Sequence, residues 1–216
     1  MPNIINNTYF INDLYIPLGN GTVSGLPVNT STPSNSVALA DTITEVEKEL
    51  SINAFGLTLY DLLQTALIDI DSADARFQIL VKGGDYILNS KTYRWEGLNS
   101  PKSLICYAIY YDFLSNNSSF YNSIGVTKPN SENASNVNPN YKLATAWQTF
   151  LRKYQGGCLA EPFCYQDSGV HFIDYYGTNE NQIRSLFQFL NDNASDYPEW
   201  TNTDFRLYES INTFGL

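Results

Sequence analysis

Tyr93-Arg-Trp-Glu-Gly-Leu-Asn-Ser-Pro-Lys-Ser-Leu-Ile-Cys-Tyr-Ala-Ile-Tyr-Tyr-Asp-Phe-Leu114 is the stretch on which the fold turns. Ser100 followed by Pro101 predicts a helix start: a serine oxygen accepts from an exposed amide, and proline suits the first helical position because its missing N–H would be unpaired there anyway. The helix is expected to begin at Lys102. From Leu104 to Leu114 only Asp112 is charged, so this helix is apolar on almost every face and must be covered nearly all round. The run is far shorter than the roughly 20 residues a bilayer crossing needs, so the cover is protein, from this chain and from a neighbouring copy. Trp95, just ahead of it, is expected to be a buried hinge, and Gly97 to allow a backbone turn that a side chain would block.

Upstream, Tyr86 to Trp95 predicts two short strands around an Asn89-Ser90-Lys91 turn. Before them a helix is expected to start at Asp71 and Asp74, whose charge complements the amide end of the helix dipole, to bury Phe77, Leu80 and Val81, and to stop at Gly83-Gly84. The acidic run Asp69, Asp71, Asp74 lacks the further aspartate and the glycine of a calcium loop, so no metal is assigned to it. Two more helices precede it. Thr42 and Glu45 read as the capping box of one starting at Asp41, with Ile43, Val46 and Leu50 on its stripe. Thr58 and Asp61 read as the box of the next, with Leu57 and Leu62 as its hydrophobic staple and Leu62, Leu63, Ala66, Leu67 and Ile70 as its buried face. Residues 1–40 hold no Lys or Arg and many Gly, Pro, Ser, Thr and Asn, so they are expected to be an extended arm that gains order only on a partner.

Downstream, a long polar connection carries Phe120, Tyr121 and Ile124 and reads as a contact loop. Pro139 opens a helix with Leu143, Ala146, Trp147, Phe150, Leu151 and Tyr154 at helical spacing, expected to pack along the central one. Residues 156–177 read as an irregular aromatic insertion. Thr178 is expected to cap a last helix bearing Ile183, Leu186, Phe187 and Leu190. Residues 197–216 read as a docking tail whose Trp200, Phe205 and Phe214 anchor on another protein. The expected fold is therefore mainly α: a connector domain over 41–196, of five to six helices and one short hairpin, between two extended arms.

The chain has 216 residues, 43% of them hydrophobic, and its 22 acidic against 12 basic residues give a net charge of −10. Such a surface repels nucleic acid and suits a wall that DNA slides past. The first residues show no basic and then apolar leader, and no later segment is apolar for long enough to span a bilayer, so the expectation is a cytoplasmic product. Cys106, Cys158 and Cys164 match neither a redox nor a zinc spacing and read as small buried hydrophobes.

The succession of a helix, Gly83-Gly84-Asp85-Tyr86, a hairpin, Arg94-Trp95-Glu96-Gly97-Leu98, a helix with Tyr107, Tyr110 and Tyr111, a loop with Ser123-Ile124-Gly125-Val126 and a helix with Trp147 resembles head–tail connector proteins of tailed bacteriophages. It is most similar to the neck ring proteins of crAss-like phages of Bacteroidetes, over residues 57–155. That resemblance implies a helical adaptor, present as a ring of about twelve copies, that docks on the portal protein and meets further neck or tail rings while DNA passes through. It implies no catalysis, no cofactor and no membrane. Two other classes compete. A virion decoration, stopper or terminator protein would be rich in β-structure, and a Cys-His hydrolase would need Cys158 or Cys164 beside His171, with Asp167 or Asp174 to orient the base.

Overall fold

The computed structural model describes residues 2–16, 35–117, 120–122, 125–127, 140–156 and 183–209. It is mainly helical, with five α-helices and two antiparallel hairpins among the described residues. The order is α1 Asn35–Ala66, α2 Ala75–Lys82, β1 Gly84–Leu88, β2 Lys91–Trp95, α3 Leu104–Asn117, β3 Phe120–Asn122, β4 Gly125–Thr127, α4 Asn140–Tyr154 and α5 Leu186–Asp192.

α1 consists of two limbs broken at Gly56, whose backbone (φ 71°, ψ 167°) lies in a region open essentially to glycine alone. The first limb starts at Asn35, ahead of the expected Asp41. Thr42 caps nothing: its hydroxyl donates to the carbonyl of Ala38 one turn back, as threonine does inside a helix. The Leu57–Leu62 staple does not form either, since both side chains are exposed. The turn at Gly56 aims the second limb so that Leu59, Tyr60 and Leu63 enter the core instead.

The central region follows the sequence more closely. The Asp74 side chain accepts from the Arg76 amide to cap α2, and Gly83 (φ 80°, ψ 173°) ends it. The hairpin turn is made by Asn89 (φ 50°) and Ser90 (φ 65°), the left-handed pair that a two-residue hairpin loop requires, and Gly84 pairs with Trp95 across the strands. α3 begins two residues later than expected. Ser100 and Pro101 form a turn, the Ser103 amide donates to the Ser100 carbonyl, and the Ser103 hydroxyl caps the helix at the Cys106 amide. Leu104, Ile105, Cys106, Ala108, Ile109, Tyr110 and Phe113 are all buried, so the helix is enclosed as its composition demands. Its cover comes from α1, α4 and the N-terminal segment of the same chain.

The two ends depart from expectation. Residues 2–16 are no free arm: Ile4, Ile5, Phe10, Leu14 and Ile16 are buried in the core, and two short 3-10 turns bend the segment so that they can be. The C-terminal segment is not a docking tail through residue 209. Tyr197, Trp200 and Phe205 belong to the same core, the Trp200 indole N–H donating to the Ala54 carbonyl (2.9 Å) and the Tyr197 hydroxyl to the Arg76 carbonyl (2.7 Å). Aromatics without helical spacing fill gaps between helices, where no periodicity is called for. The last helix starts at Leu186, capped by Ser185, while Ile183 forms a parallel bridge to Arg94 at the free side of β2. Thr178 and the 157–177 part of the aromatic insertion lie outside the described residues.

Candidate interaction surface

The centre of the molecule is a crossing of two glycines. The chain leaving β2 runs back over the C-terminus of α2, and its amides at Leu98 and Asn99 donate to the carbonyls of Leu80 (3.3 Å) and Val81 (2.8 Å) that the helix end leaves unpaired. That approach has no room for side chains: a Cβ on Gly97 (φ 81°) would stand 2.5 Å from the Gly83 nitrogen, and one on Gly83 would stand 2.6 Å from the Trp95 oxygen. Trp95 is locked beside this crossing. Its indole N–H donates to the Leu80 carbonyl (2.9 Å), and its ring stacks on Phe189 at 5.3 Å.

α4 adds the second half of the aromatic core. Trp147 sits 4.7 Å from Tyr111 and 5.0 Å from Phe150, and Tyr154 stacks on Phe205 at 4.4 Å. The C-terminal segment is fastened here by Gln155, which is fully buried: its amide N–H donates to the Tyr208 carbonyl and its oxygen accepts from the Tyr208 amide, both at 2.9 Å. A side chain thus does what a sheet neighbour would do. Burial pushes the Tyr154 and Tyr197 phenols well above their ordinary range, so both stay neutral and act as hydrogen-bond donors.

Most residues singled out in the sequence, whether for structure or for interaction, therefore hold the chain to itself. Trp95, Gly97, Leu98, Trp200 and Phe205 are buried, and Tyr107, Tyr111 and Trp147 are half-buried against the core. Phe120 and Tyr121 lie in the β3–β4 hairpin, with Tyr121 opposite Val126. Ile124 and Phe214 lie outside the described residues, as do Cys158, Cys164 and His171. Cys106, the one described cysteine, is buried, and burial raises its thiol pKa, so it stays protonated. Among the described residues no group of three or more His, Cys, Asp or Glu could hold a metal, and no helix is long and apolar enough to cross a membrane.

What the fold leaves to solvent is a different set. Ile68 (78% exposed), Ile87 (76%), Tyr141 (81%) and Leu57 (62%) are large apolar side chains on separate elements: the 3-10 turn Leu67–Asp69 that follows α1, strand β1, the start of α4 and the second limb of α1. Nothing in the periodicity of the sequence marked them. An open groove of about 960 Å³ lies between α2 and the C-terminal segment, lined by Asp74, Arg76, Lys82, Asp196 and Glu199 among others. Arg76 crosses it as a fork, bonding both oxygens of Glu199 (2.8 and 3.1 Å) and the Asp196 carbonyl (2.9 Å). That bond holds the Glu199 carboxyl below its ordinary range.

A family model described as a family of unknown function, DUF6712, matches residues 59–152 and 175–208, more than half of the chain. The chain belongs to this family. The DUF6712 match takes in the glycine crossing, the hairpin, α3, most of α4 and the segment with Trp200 and Phe205, which form one packed unit. The N-terminal segment and the first limb of α1 lie outside it. No curated protein and no solved structure matches the chain.

Proposed function

We propose that this DUF6712 protein is a structural adaptor of a tailed-phage neck, a ring subunit that docks on the portal and extends the channel through which DNA passes. The observation that carries this reading is that the described residues behind the resemblance pack together: α2, the first hairpin, the glycine crossing, α3 and α4 share one core. Its helical character favours an adaptor over a decoration or stopper protein, which would be built of strands. The acidic surface agrees with a channel wall that does not trap DNA. Closing a ring needs two different patches on each subunit, and exposed apolar side chains on separate elements supply such patches.

Sedimentation velocity of the full chain, alone and with the portal protein from the same genome, tests this. The expected result is a stoichiometric complex of many copies per portal, with no binding to duplex DNA at moderate salt. A chain that remains a monomer beside portal, or one that binds DNA tightly, overturns the reading.

A further inference from the structure

Glu47 occupies a place where a charge is costly. It lies on the apolar stripe of α1 between Ile43 and Leu50, is 3% exposed, and its two carboxyl oxygens accept from the backbone amides of Ile4 (2.7 Å) and Ile5 (3.3 Å). One side chain thus fixes the start of the N-terminal segment. The rest of that segment is held by apolar burial, by an exposed ion pair of Asp13 with Lys102 (3.2 Å), by a hydrogen bond of the Tyr9 hydroxyl to Asn99 and by one of the Asn3 amide to Thr44.

We propose that Glu47 is a proton-operated latch for residues 4–16: the segment is held firmly while the carboxyl keeps its proton and opens more readily once it ionises. The surroundings make it so. Among the described residues no lysine or arginine forms an ion pair with Glu47. The titratable groups that couple to it from the packed elements are the Tyr60 phenol on the second limb of α1 and the Cys106 thiol on α3. Burial raises the pKa of both, so both stay neutral, and neither a phenol nor a thiol can supply a positive charge. Among the described residues the carboxylate is stabilised by these two amides, which recover less than desolvation takes away. The carboxyl is pushed up from 4.5 to about 7.

Lifting the segment admits water and returns the group to its ordinary range. The closed state therefore binds the proton more tightly than the open one, which favours closure at low pH. That preference is lost as pH rises from about 4.5 to about 7, and little changes beyond. Between pH 5 and pH 8 the closing equilibrium should weaken roughly 70-fold. The inference stands whether or not the chain is a neck adaptor, because it rests on contacts within one subunit.

Hydrogen–deuterium exchange on the full chain, corrected for the intrinsic pH dependence of amide exchange, reads the latch directly. Protection of residues 4–16 relative to α3 should fall by about 70-fold from pH 5 to pH 8 in the native protein. In Glu47→Gln, which keeps an acceptor but cannot ionise, it should stay flat. Constant or rising protection in the native protein, or a fall that persists in Glu47→Gln, overturns the proposal. A carbon-13 carboxyl titration of the native protein needs no variant: a Glu47 midpoint near 7 is expected, and one near 4.5 overturns it as well.

Discussion

Gly97→Ala adds one methyl group where two backbones meet, and its effect follows from the geometry. The residue sits at φ 81°, a conformation that costs an L-residue with a Cβ about 1–2 kcal/mol. The new carbon would stand 2.5 Å from the Gly83 nitrogen and the Lys82 carbonyl carbon and 2.7 Å from the Val81 oxygen. These are backbone atoms of a helix end and cannot rotate aside, so the crossing must widen, and overpacking of this kind costs roughly 1–3 kcal/mol. Widening also stretches the bonds from Leu98 and Asn99 to the carbonyls of Leu80 and Val81, each worth about 1 kcal/mol. The total is about 2–7 kcal/mol, the upper end applying if both bonds are lost, against the 5–15 kcal/mol by which an ordinary domain is stable. Urea titration followed by far-ultraviolet circular dichroism measures it, with Ile87→Ala as control, since Ile87 is 76% exposed and its loss should change stability by less than about 0.5 kcal/mol. A Gly97→Ala protein as stable as the control would refute the crossing as the pivot of the fold.

Two further outcomes follow from the same contacts. Trp95→Ala should cost about 3–5 kcal/mol, and Trp95→Phe about 1 kcal/mol because it removes one of the two donors on the Leu80 carbonyl, the Leu98 amide remaining; equal stability of native and Phe proteins in urea would remove that bond from the account. Ending the chain after Asn193 removes Tyr197, Trp200 and Phe205 together and should abolish cooperative melting, whereas a truncated protein that melts like the native one would mean the C-terminal segment is not part of the core.

The parts of the fold that could be read in advance are those specified by neighbours in sequence. Asp74 caps α2, Gly83 ends it, Asn89 and Ser90 turn the hairpin, and Trp95 and Gly97 lead into a helix too apolar to be anything but enclosed. The two ends are not legible in this way because their order comes from distant partners. Ile4 and Ile5 are fixed by Glu47, and Tyr208 by Gln155, side chains more than 40 residues away. The pattern of Thr42 and Glu45 imitates a cap because a threonine inside a helix can satisfy itself on the carbonyl of Ala38. Trp200 and Phe205 read as anchors for another protein because composition does not say whether the pocket an aromatic fills belongs to its own chain. Glu47, four residues after Ile43 and three before Leu50, is a charge on a buried stripe, and such a group signals a specific partner.

The central claim, that this chain forms a ring on a portal, is tested most directly by electron microscopy of the full-length protein mixed with the portal from the same genome. The account predicts end-on views in which a second annulus of helical subunits continues the portal channel, one subunit against each portal copy, with an open axial hole. Portal particles unchanged by the addition, beside free single subunits, would contradict it.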